Sequence, residues 1–367
     1  MVSKWQKVKL GDVCEISSGK ASKYTKDQSG MFKVYGSNGV IGSYNEANFY
    51  RGYLVGRVGA VGSIQKITEP VWASDNTLTL VINEDLIDFD FMEHLLSTMT
   101  LANYATKTAQ PLLTQTTLKK IEVELPPLSE QRKIAAILSS VDEAIEKTEA
   151  IIEQTEKVKK GLMQQLLTKG IGHTKFKKTA IGEIPEQWEI RKLNQVSTRI
   201  TEKNKGKTDR VLTISGLHGL VSQTEYFNKS VASKNIDGYY YLKKGDFAYN
   251  KSYSDGYPLG AIKMLERYPD GVVSTLYICF RINENMCKDY FRYYFESNLW
   301  NSEVSAIAPE GGRSHGLLNV GVNDFFNIFI PIPPIEEQYK ISSIIRSVEN
   351  KEKLELEKLE SNYSATS

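Results

Sequence analysis

One stretch of the chain repeats its apolar positions alternately every four and every three residues. The positions with this spacing, most of them aliphatic, are Ile134, Leu138, Val141, Ile145, Thr148, Ile152, Thr155, Lys159, Leu162 and Leu166. Glu, Lys and Gln fill most intervening positions, so the pattern predicts a single helix with a narrow coiled-coil seam. Ser129 is the expected N-cap after Pro126 and Pro127, and Gly170 and Gly172 should end the helix. About 40 residues rising 1.5 Å each would form a rod of roughly 60 Å.

A second helix with the same opening pattern is predicted from Ile335 to about Tyr363. Its seam begins with aliphatic residues, but Glu352 and Glu355 then stand where the first helix has Ile145 and Thr148. We therefore expect weaker pairing toward the C-terminus. Two such helices in one chain can pack antiparallel and set the distance between two globular halves.

The two predicted helices begin with copies of one sequence. Residues 126–143 read PPLSEQRKIAAILSSVDE and residues 333–350 read PPIEEQYKISSIIRSVEN, with nine of eighteen paired positions identical at an offset of 207. Weaker similarity upstream relates residues 5–10 to 188–193 and residues 74–83 to 274–283. A period near 200 residues indicates duplicated domains and not a solenoid.

Each globular half combines short β-rich runs, separated by Gly-rich turns, with a few helices. The predicted strands are 34–41, 53–61, 78–82, 212–214, 247–249 and 276–282, and the predicted helices are 91–98 and 290–300. The chain is therefore expected to be α+β, with two tandem mixed α/β domains related by a pseudo-twofold duplication. The expected boundaries are 1–125 and 171–332 for the domains, and 126–170 and 333–367 for the helical spacers.

Composition adds a few limits. The chain has 367 residues and a net charge of +2, with 41% hydrophobic and 25% charged residues, which is typical of a globular protein. The opening residues lack the apolar region of a signal peptide, no apolar run is long enough to cross a membrane, and Cys14, Cys279 and Cys287 are widely spaced. We expect a cytoplasmic protein with free thiols and no membrane partner.

The charge is unevenly distributed along the chain. Residues 1–66 contain ten Lys and Arg against four Asp and Glu, and residues 175–210 contain ten against five. Basic segments at the start of each half suit a polyanionic partner, although such clusters are more often solvated surfaces.

Motifs for catalysis are missing from the sequence. It contains no Walker nucleotide loop, no C-x-x-C or H-E-x-x-H metal spacing, and no Ser, His and Asp in a recognisable nucleophile context. The Asn/Asp-Pro-Pro-aromatic motif of amino-methyltransferases is also missing, since Leu125 and Ile332 precede the two Pro-Pro pairs. We expect a binding protein with no enzymatic activity, no cofactor and no metal.

Several sequence segments resemble those of one protein family. LPPLSEQRKIAAIL, repeated as IPPIEEQYKISSII, is similar to the conserved regions of type I restriction-modification specificity subunits. Residues 34–64 with 72–81, and residues 181–193, 245–262 and 271–280, resemble their first and second target-recognition domains. The resemblance covers nearly the whole chain, and the doubled P-P-x-x-E-Q pattern is its most specific element.

The resemblance implies a fold and a role. Two target-recognition domains, separated by two antiparallel helices, each recognise one half of a split target on double-stranded DNA. Two modification subunits that bind S-adenosylmethionine would methylate adenine in each half, and restriction and translocase subunits that use ATP and Mg would join for cleavage. The second helix is shorter and more acidic than this pattern implies.

Candidate DNA-binding residues follow from side-chain chemistry, because Arg, Lys, Asn and Gln contact base edges and Lys suits phosphates. In the first half they are Lys20, Lys23, Tyr35, Ser37, Asn38, Arg57, Lys107, Gln110 and Thr114. In the second half they are Lys203, Lys205, Lys207, Lys251, Ser252, Tyr253, Arg313, Ser314 and His315. The alternatives are a plain tight turn for Tyr35 to Asn38 and a structural ion pair for Arg57.

Two other functions remain open at this point. The chain could be an enzyme, either a fused restriction-methylation protein or a cryptic nuclease, in which case the isolated chain would transfer methyl groups or cleave DNA. It could instead be a scaffold whose long helices serve only protein assembly, in which case it would not bind DNA even with partners present.

Overall fold

The structure is a computed structural model that describes residues 5–21, 30–216, 218–227, 236–252, 256–308, 313–314 and 317–366. It divides into two compact units. Unit 1 comprises residues 1–147 and 359–367, and unit 2 comprises residues 148–358. The division falls within both long helices.

Unit 1 is built from short strands and helices. Its strands are β1 (Gln6–Lys9), β2 (Cys14–Ser18), β3 (Phe32–Gly36), β4 (Gly39–Tyr44), β5 (Gly52–Gly56), β6 (Ile64–Ile67), β7 (Trp72–Ala73), β8 (Thr77–Ile82) and β9 (Glu122–Leu125). Its helices are α1 (Leu10–Val13), α2 (Phe89–Thr98), α3 (Gln115–Lys119) and a 3-10 turn at Leu101–Tyr104, and α4 (Leu128–Lys169) begins in this unit.

The main sheet of unit 1 is antiparallel, with the strand order β2-β8-β5-β6, and a smaller sheet has the order β4-β3-β7. In β2, Cys14 and Ile16 are buried while Glu15 is exposed, as expected of a strand with one covered face. The central strand β5 is buried along its whole length because it has core residues on both faces. The larger core lies between this sheet and α2, whose N-cap Asp88 accepts the Asp90 and Phe91 N–H groups.

Unit 2 repeats this arrangement with additions. Its strands are β10 (Phe176–Thr179), β11 (Gly182–Pro185), β12 (Glu189–Lys192), β13 (Ser197–Arg199), β14 (Leu212–Ser215), β15 (Gly219–Ser222), β16 (Tyr240–Lys243), β17 (Phe247–Asn250), β18 (Ala261–Met264), β19 (Asp270–Val273), β20 (Ile278–Ile282), β21 (Arg313–Ser314), β22 (Leu317–Leu318) and β23 (Phe329–Ile332). Its helices are α5 (Leu193–Val196), α6 (Gln223–Phe227), α7 (Lys288–Glu296), α8 (Asn301–Ile307), α9 (Val322–Phe326) and α10 (Ile335–Thr366).

The strand order of the main sheet in unit 2 is β13-β20-β17-β18, which corresponds strand for strand to the order in unit 1. The pair β12-β23 corresponds to β1-β9, and α5, α7 and α9 correspond to α1, α2 and α3. The internal duplication and the α+β class are therefore confirmed.

The two long helices pack antiparallel within unit 2. The end of α4 and the beginning of α10 share one core, through Leu166, Leu167, Ile341 and Ile345. Farther along, the Lys159 ammonium lies 2.5 Å from the Glu352 carboxylate. Lys159 occupies a predicted seam position, so an ion pair replaces an apolar layer there.

The repeated Glu-Gln of the two helices joins each helix to the globular part of its unit. The buried Gln131 amide accepts the Asp88 N–H at 2.8 Å and donates to the Pro126 carbonyl at 2.9 Å. The buried Gln338 amide makes the matching bonds, accepting the Cys287 N–H at 3.0 Å and donating to the Pro333 carbonyl at 2.9 Å. These bonds explain in physical terms why the repeat keeps its glutamine.

The preceding glutamate has a structural role of the same kind. Glu337 accepts the Ile171 N–H at 2.9 Å, the Trp188 indole N–H at 3.0 Å and a hydrogen bond with His173 at 2.8 Å. In unit 1, the Trp5 indole donates to Glu130 at 3.3 Å. The weak upstream similarity around the two tryptophans therefore reflects a repeated contact.

The ends of the long helices differ slightly from the prediction. Helix α4 begins at Leu128, and the Pro127 carbonyl accepts the Glu130 and Gln131 N–H groups, so the prediction of Ser129 as N-cap was wrong. The C-terminal end is as predicted, because Gly170 follows the helix with φ +66° and donates to the Leu166 carbonyl.

Several predicted elements were too long. Residues 34–41 form two strands joined by a turn at Ser37 and Asn38, and the strand predicted to reach Val61 ends at Gly56. The strand predicted from Leu276 begins at Ile278. The helix predicted to reach Trp300 ends at Glu296, since Asn298 has a left-handed conformation with φ +60°.

Candidate nucleic-acid interface

In unit 1, the main sheet brings most of the predicted residues to one side. Because the strands are antiparallel, β2 and β5 end where β6 and β8 begin, and we call this side the loop edge of unit 1. Lys20 follows β2 and Arg57 follows β5. The Arg57 N–H donates to the Asn76 carbonyl at 2.9 Å, and the Gly19 N–H donates to the Thr77 carbonyl at 3.0 Å.

The turn between β3 and β4 is fixed to the same edge. The Ser37 carbonyl accepts hydrogen bonds from the Ser63 hydroxyl and, at 3.2 Å, from the Gln65 amide. Asn38 is exposed at the tip of the turn, and Gly39 follows it with φ +106°, which a residue with a Cβ rarely adopts. Tyr35 lies on β3, and its carbonyl accepts the Ser74 N–H at 3.0 Å.

The loop before α3 lies next to Arg57. The Leu113 N–H donates to the Arg57 carbonyl at 3.0 Å, and the Thr106 N–H donates to the Leu112 carbonyl at 3.0 Å, which closes the loop. Lys107 and Gln110 are exposed within it. The Thr114 hydroxyl caps α3 by accepting the Thr117 N–H at 3.1 Å, so its oxygen already has a structural role.

Three buried side-chain polar atoms of the described part of unit 1 lack a hydrogen-bond partner, and all three belong to this edge. They are the Arg57 Nε, the Gln65 Oε1 and the Ser74 Oγ. Buried polar atoms are normally satisfied, so a concentration of such atoms is typical of a surface that receives a ligand or water. Sequence reasoning missed Gln65 and Ser74, because the sheet register, and not their neighbours in the chain, brings them to this edge.

Lys20 is exposed, and its backbone is held in place. Its N–H donates to the Ala73 carbonyl at 2.9 Å, and its carbonyl accepts the Trp72 indole N–H at 2.8 Å. The ammonium therefore extends from a fixed position at the loop edge. Lys23 lies outside the described residues.

In unit 2, the corresponding side of the sheet is the loop edge of unit 2, where β13 and β17 end and β18 and β20 begin. Lys251 follows β17, and its carbonyl accepts the Leu318 N–H at 3.0 Å. Arg313 and Ser314 form β21, which pairs with β22. The structure therefore places Lys251, Ser252 and the strand pair β21–β22 together, while Tyr253 and His315 lie outside the described residues.

The three lysines near position 205 form a separate group. The Lys203 ammonium donates to the Gly238 carbonyl at 2.9 Å and lies 4.0 Å from the centre of the Tyr240 ring. Lys207 forms an ion pair with Glu202, and Lys205 is exposed with φ +46°. The bonding partners of Lys203 and Lys207 lie on or near β16 and the turn before it, and not on β21 or β22.

Unit 2 also contains a cleft of about 560 Å³ that borders α4, α7 and α10. Its charged side chains pair with one another: Lys263 lies 2.5 Å from Glu296, and Arg292 lies 2.5 Å from Glu349. Burial raises the pKa of the nearby Glu266 carboxyl. With acidic groups in excess and the cations already paired, this cleft is unsuited to phosphate.

One group in unit 1 resembles a hydrolase triad. The His94 Nε2 lies 3.2 Å from the Ser139 hydroxyl, and the His94 Nδ1 lies 3.7 Å from the Asp142 carboxylate. Ser139 is inside α4, however, where neighbouring N–H groups are bound within the helix and cannot stabilise an oxyanion. We interpret the group as a contact between α2 and α4.

Other catalytic chemistry has little support in the described residues. The three cysteines are free and buried, and burial raises the pKa of Cys14 to about 12, which disfavours the nucleophilic thiolate. Within the described ranges, no cluster of three or more His, Cys, Asp or Glu side chains could hold a metal ion. Over the same ranges, no helix is long and apolar enough to cross a membrane.

Comparison with known proteins gives a consistent result. A family model described as the type I restriction modification DNA specificity domain matches residues 2–157 and residues 185–362. The type I restriction enzyme MjaVIII specificity subunit of Methanocaldococcus jannaschii is 30% identical over 272 residues, covering 68% of this chain and 62% of that protein. The EcoprrI specificity subunit of Escherichia coli is 31% identical over 140 residues, covering 36% of this chain and 35% of that protein.

The fold has a solved counterpart. The type I restriction-modification system S subunit from M. genitalium matches with a TM-score of 0.64 and 15% identity, covering 99% of this chain and 94% of that chain. At this identity the likeness concerns the fold alone. The chain spans less than two thirds of the M. jannaschii relative.

Proposed function

Because this chain belongs to the type I restriction modification DNA specificity family, we propose that it recognises a split sequence on double-stranded DNA. Each unit would contact one part of the target through its loop edge. The observation that carries this proposal is the repeated sheet, which presents a strand-end cation and an adjoining loop at the same place in both units.

The chemistry of the two edges supports this assignment. In unit 1, the edge combines the exposed Lys20 with a turn that displays Asn38 and with Arg57. Lysines suit phosphates, whereas Arg and Asn side chains distinguish bases in the major groove. The edge of unit 2 offers Lys251, Ser252 and the strand that contains Arg313.

We further propose that the chain acts as the specificity subunit of a larger complex and is not catalytic itself. Two modification subunits would supply S-adenosylmethionine and methylate adenine, and restriction and translocase subunits would supply ATP and Mg chemistry. Helix α4 carries a surface suited to packing against a helix of a partner, because Ile137, Ile151 and Val158 are exposed and separated by multiples of seven residues. Exposed aliphatic side chains in such a row are typical of a protein contact.

The experiment is to co-express the chain with its modification subunit and to map methylated adenines in the DNA by long-read sequencing. We expect a motif of two parts with a constant gap and one methylated adenine in each part. A palindromic motif, a single part or no motif would contradict the proposal. Methyl transfer or DNA cleavage by the purified chain alone would instead support the enzyme alternative, and failure to bind DNA with partners present would support the scaffold.

A further inference from the structure

Arg57 and Lys251 occupy equivalent positions in the two units. In unit 1, Val55 of β5 pairs with Leu78, and in unit 2, Tyr249 of β17 pairs with Ile278. Arg57 lies two residues beyond Val55, and Lys251 lies two residues beyond Tyr249. Equivalent strands of the two sheets are therefore followed, at the same register position, by a residue with a long cationic side chain.

The backbone around the two residues is held by the same bond. The Arg57 carbonyl accepts the Leu113 N–H at 3.0 Å, and the Lys251 carbonyl accepts the Leu318 N–H, also at 3.0 Å. The leucines precede α3 and α9, which correspond to each other in the two units. In both units, the cation is thus fixed between a strand end and the loop that leads to the same helix.

Neither side chain is committed to a partner within the described residues. Arg57 forms no ion pair there, and its Nε is buried without an acceptor. The Lys251 ammonium has only a long contact of 3.4 Å with the Val320 carbonyl. By contrast, Lys66 binds Asp90 and Glu93, and Arg281 binds Asp246. A structural ion pair, the alternative for Arg57, is therefore not observed in this part of the chain.

The surroundings favour contact with a base over contact with a phosphate. A phosphate can be met by a mobile exposed ammonium such as that of Lys20, whereas base recognition needs a donor held in one place. The backbones of Lys20 and Arg57 are both held by hydrogen bonds, but the Arg57 side chain is partly buried with an enclosed Nε, whereas the Lys20 side chain is exposed. The unpartnered Gln65 Oε1 and Ser74 Oγ belong to the same edge.

We propose that Arg57 and Lys251 are matched specificity-determining residues, each donating to the O6 and N7 atoms of a guanine in its own part of the target. Arg and Lys are the side chains that make this contact in the major groove. The inference rests on the proposed function. It predicts that both parts of the recognised sequence contain a guanine at the position contacted by the equivalent strand end.

The first test is the methylation motif of the full complex with Arg57→Ala or Lys251→Ala. We expect each change to reduce the preference for guanine over other bases at one position of one part of the motif, by about 10- to 100-fold. The other part of the motif should stay unchanged. Arg57→Lys should retain most of the discrimination. The matched controls are Lys33→Ala in unit 1, whose side chain pairs with Glu69, and the exposed Lys244→Ala in unit 2, and neither should alter the motif.

The second test removes one acceptor from the DNA. Duplexes with 7-deazaguanine at the mapped position lack the N7 atom, so the wild-type complex should bind them about 10-fold more weakly. The Arg57→Ala complex should bind the guanine and 7-deazaguanine duplexes equally well. This result would show that Arg57 acts on the N7 atom, and it does not depend on the variant being as stable as the wild type.

The possible outcomes are distinct. A wild-type complex without a two-part motif would refute the proposed function itself. A wild-type two-part motif that is unchanged in both variants, or a loss of affinity that is equal for all sequences, would overturn the role of Arg57 and Lys251 alone.

Discussion

Gln131 and Gln338 attach the long helices through buried side-chain amides that both accept and donate hydrogen bonds. Each amide accepts the N–H of the residue that precedes α2 or α7 and donates to the carbonyl of the proline two residues before its own helix. An apolar side chain of similar size could not satisfy these groups. The glutamine therefore sets where the helix joins its unit.

We expect Gln131→Ala to leave the Asp88 N–H and the Pro126 carbonyl without partners. Each unpaired buried group costs about 1–3 kcal/mol, so the free energy of unfolding should fall by about 3 kcal/mol. Urea unfolding of the full chain, followed by tryptophan fluorescence, measures this difference. Gln165→Ala, at an exposed position of α4, is the control and should change stability by less than about 0.5 kcal/mol. Equal effects of the two changes would contradict the interpretation.

We expect Glu349 to make the stability of unit 2 depend on pH. Burial alone would raise its pKa, but the hydrogen bond and the charge of Arg292, together with the Tyr293 hydroxyl, outweigh burial and leave the pKa below its usual 4.5. A carboxyl whose pKa is lower in the folded state stabilises the fold above its unfolded pKa, and this stabilisation is lost as pH falls through the folded pKa.

We therefore expect the wild-type chain to lose stability relative to Glu349→Gln as pH falls from about 5 to about 3. The measurement is the difference in unfolding free energy between the two proteins at several pH values. Glu357→Gln, at an exposed position on the same helix, should show a smaller dependence on pH. A difference between wild type and Glu349→Gln that does not change with pH would refute the role of this pair.

For individual residues, the sequence allowed candidates to be chosen by their charge but did not indicate which side chains surround them in the fold. Arg57 and Lys20 could be selected for their charge and for the glycines around them. Gln65 and Ser74 could not, because their place at the loop edge depends on pairing between strands far apart in sequence. Thr114 was selected as a DNA contact, and the structure gives its hydroxyl a capping role, which local sequence could have suggested.

The two long helices illustrate how a polar pair can occupy a predicted apolar seam. Lys159 and Glu352 are 29% and 13% exposed, and their charged atoms are 2.5 Å apart. The sequence placed Lys159 in the first seam and Glu352 in the second, and the second was interpreted as weakened. Only the antiparallel register shows that the two compensate each other.

Removing one partner should cost more than removing both. We expect Lys159→Ala to lower the free energy of unfolding by about 1–3 kcal/mol, because Glu352 would remain largely buried without a counter-charge. The double change of Lys159→Met with Glu352→Met should be neutral or stabilising, since apolar side chains can fill the same layer. Thermal unfolding of the single and double variants measures both. A double variant less stable than Lys159→Ala would contradict this account.

The elements themselves were predicted with uneven success. Long helices with a regular seam were located to within a few residues, because their period is a property of the local sequence. Strand ends were less accurate: residues 34–41 were predicted as one strand but form a hairpin that turns at Ser37 and Asn38. The Asn-Gly pair inside this stretch is a local turn signal that could have divided it. Strands β10, β11, β21 and β22 of unit 2 have no counterpart among the described residues of unit 1, so the duplication could not predict them. The β14–β15 hairpin, by contrast, lies where unit 1 has the β3–β4 hairpin.

For the molecule as a whole, the duplication is the feature that sequence comparison within the chain predicted most firmly, and the fold confirms it. The net charge of +2 conceals the uneven distribution of cations. Because the attraction to DNA depends on the charges that face it, and not on the total, the individual lysines at the loop edges should determine the salt dependence of binding.

We expect Lys20→Ala to weaken binding to all DNA sequences by a similar factor and to reduce the slope of log affinity against log salt by about one. The measurement is the affinity of the complex for target and non-target duplexes over a range of salt concentrations. Lys119→Ala, an exposed lysine at the end of α3, is the control and should leave the slope unchanged. A loss confined to the target sequence would assign Lys20 to base recognition instead.

The contacts of Glu337 have a consequence for the order in which the chain becomes structured during synthesis. The carboxylate binds the Ile171 N–H and the Trp188 indole, which leave the ribosome some 150 residues earlier. Until the start of α10 is translated, the end of α4 and the strands that follow it lack both this carboxylate and the Ile341 and Ile345 side chains of their core. Contacts between residues this distant in sequence form slowly, and the apolar side chains that they will bury stay exposed until then. The second half of the chain is therefore the part whose core stays incomplete until the start of α10 has been translated.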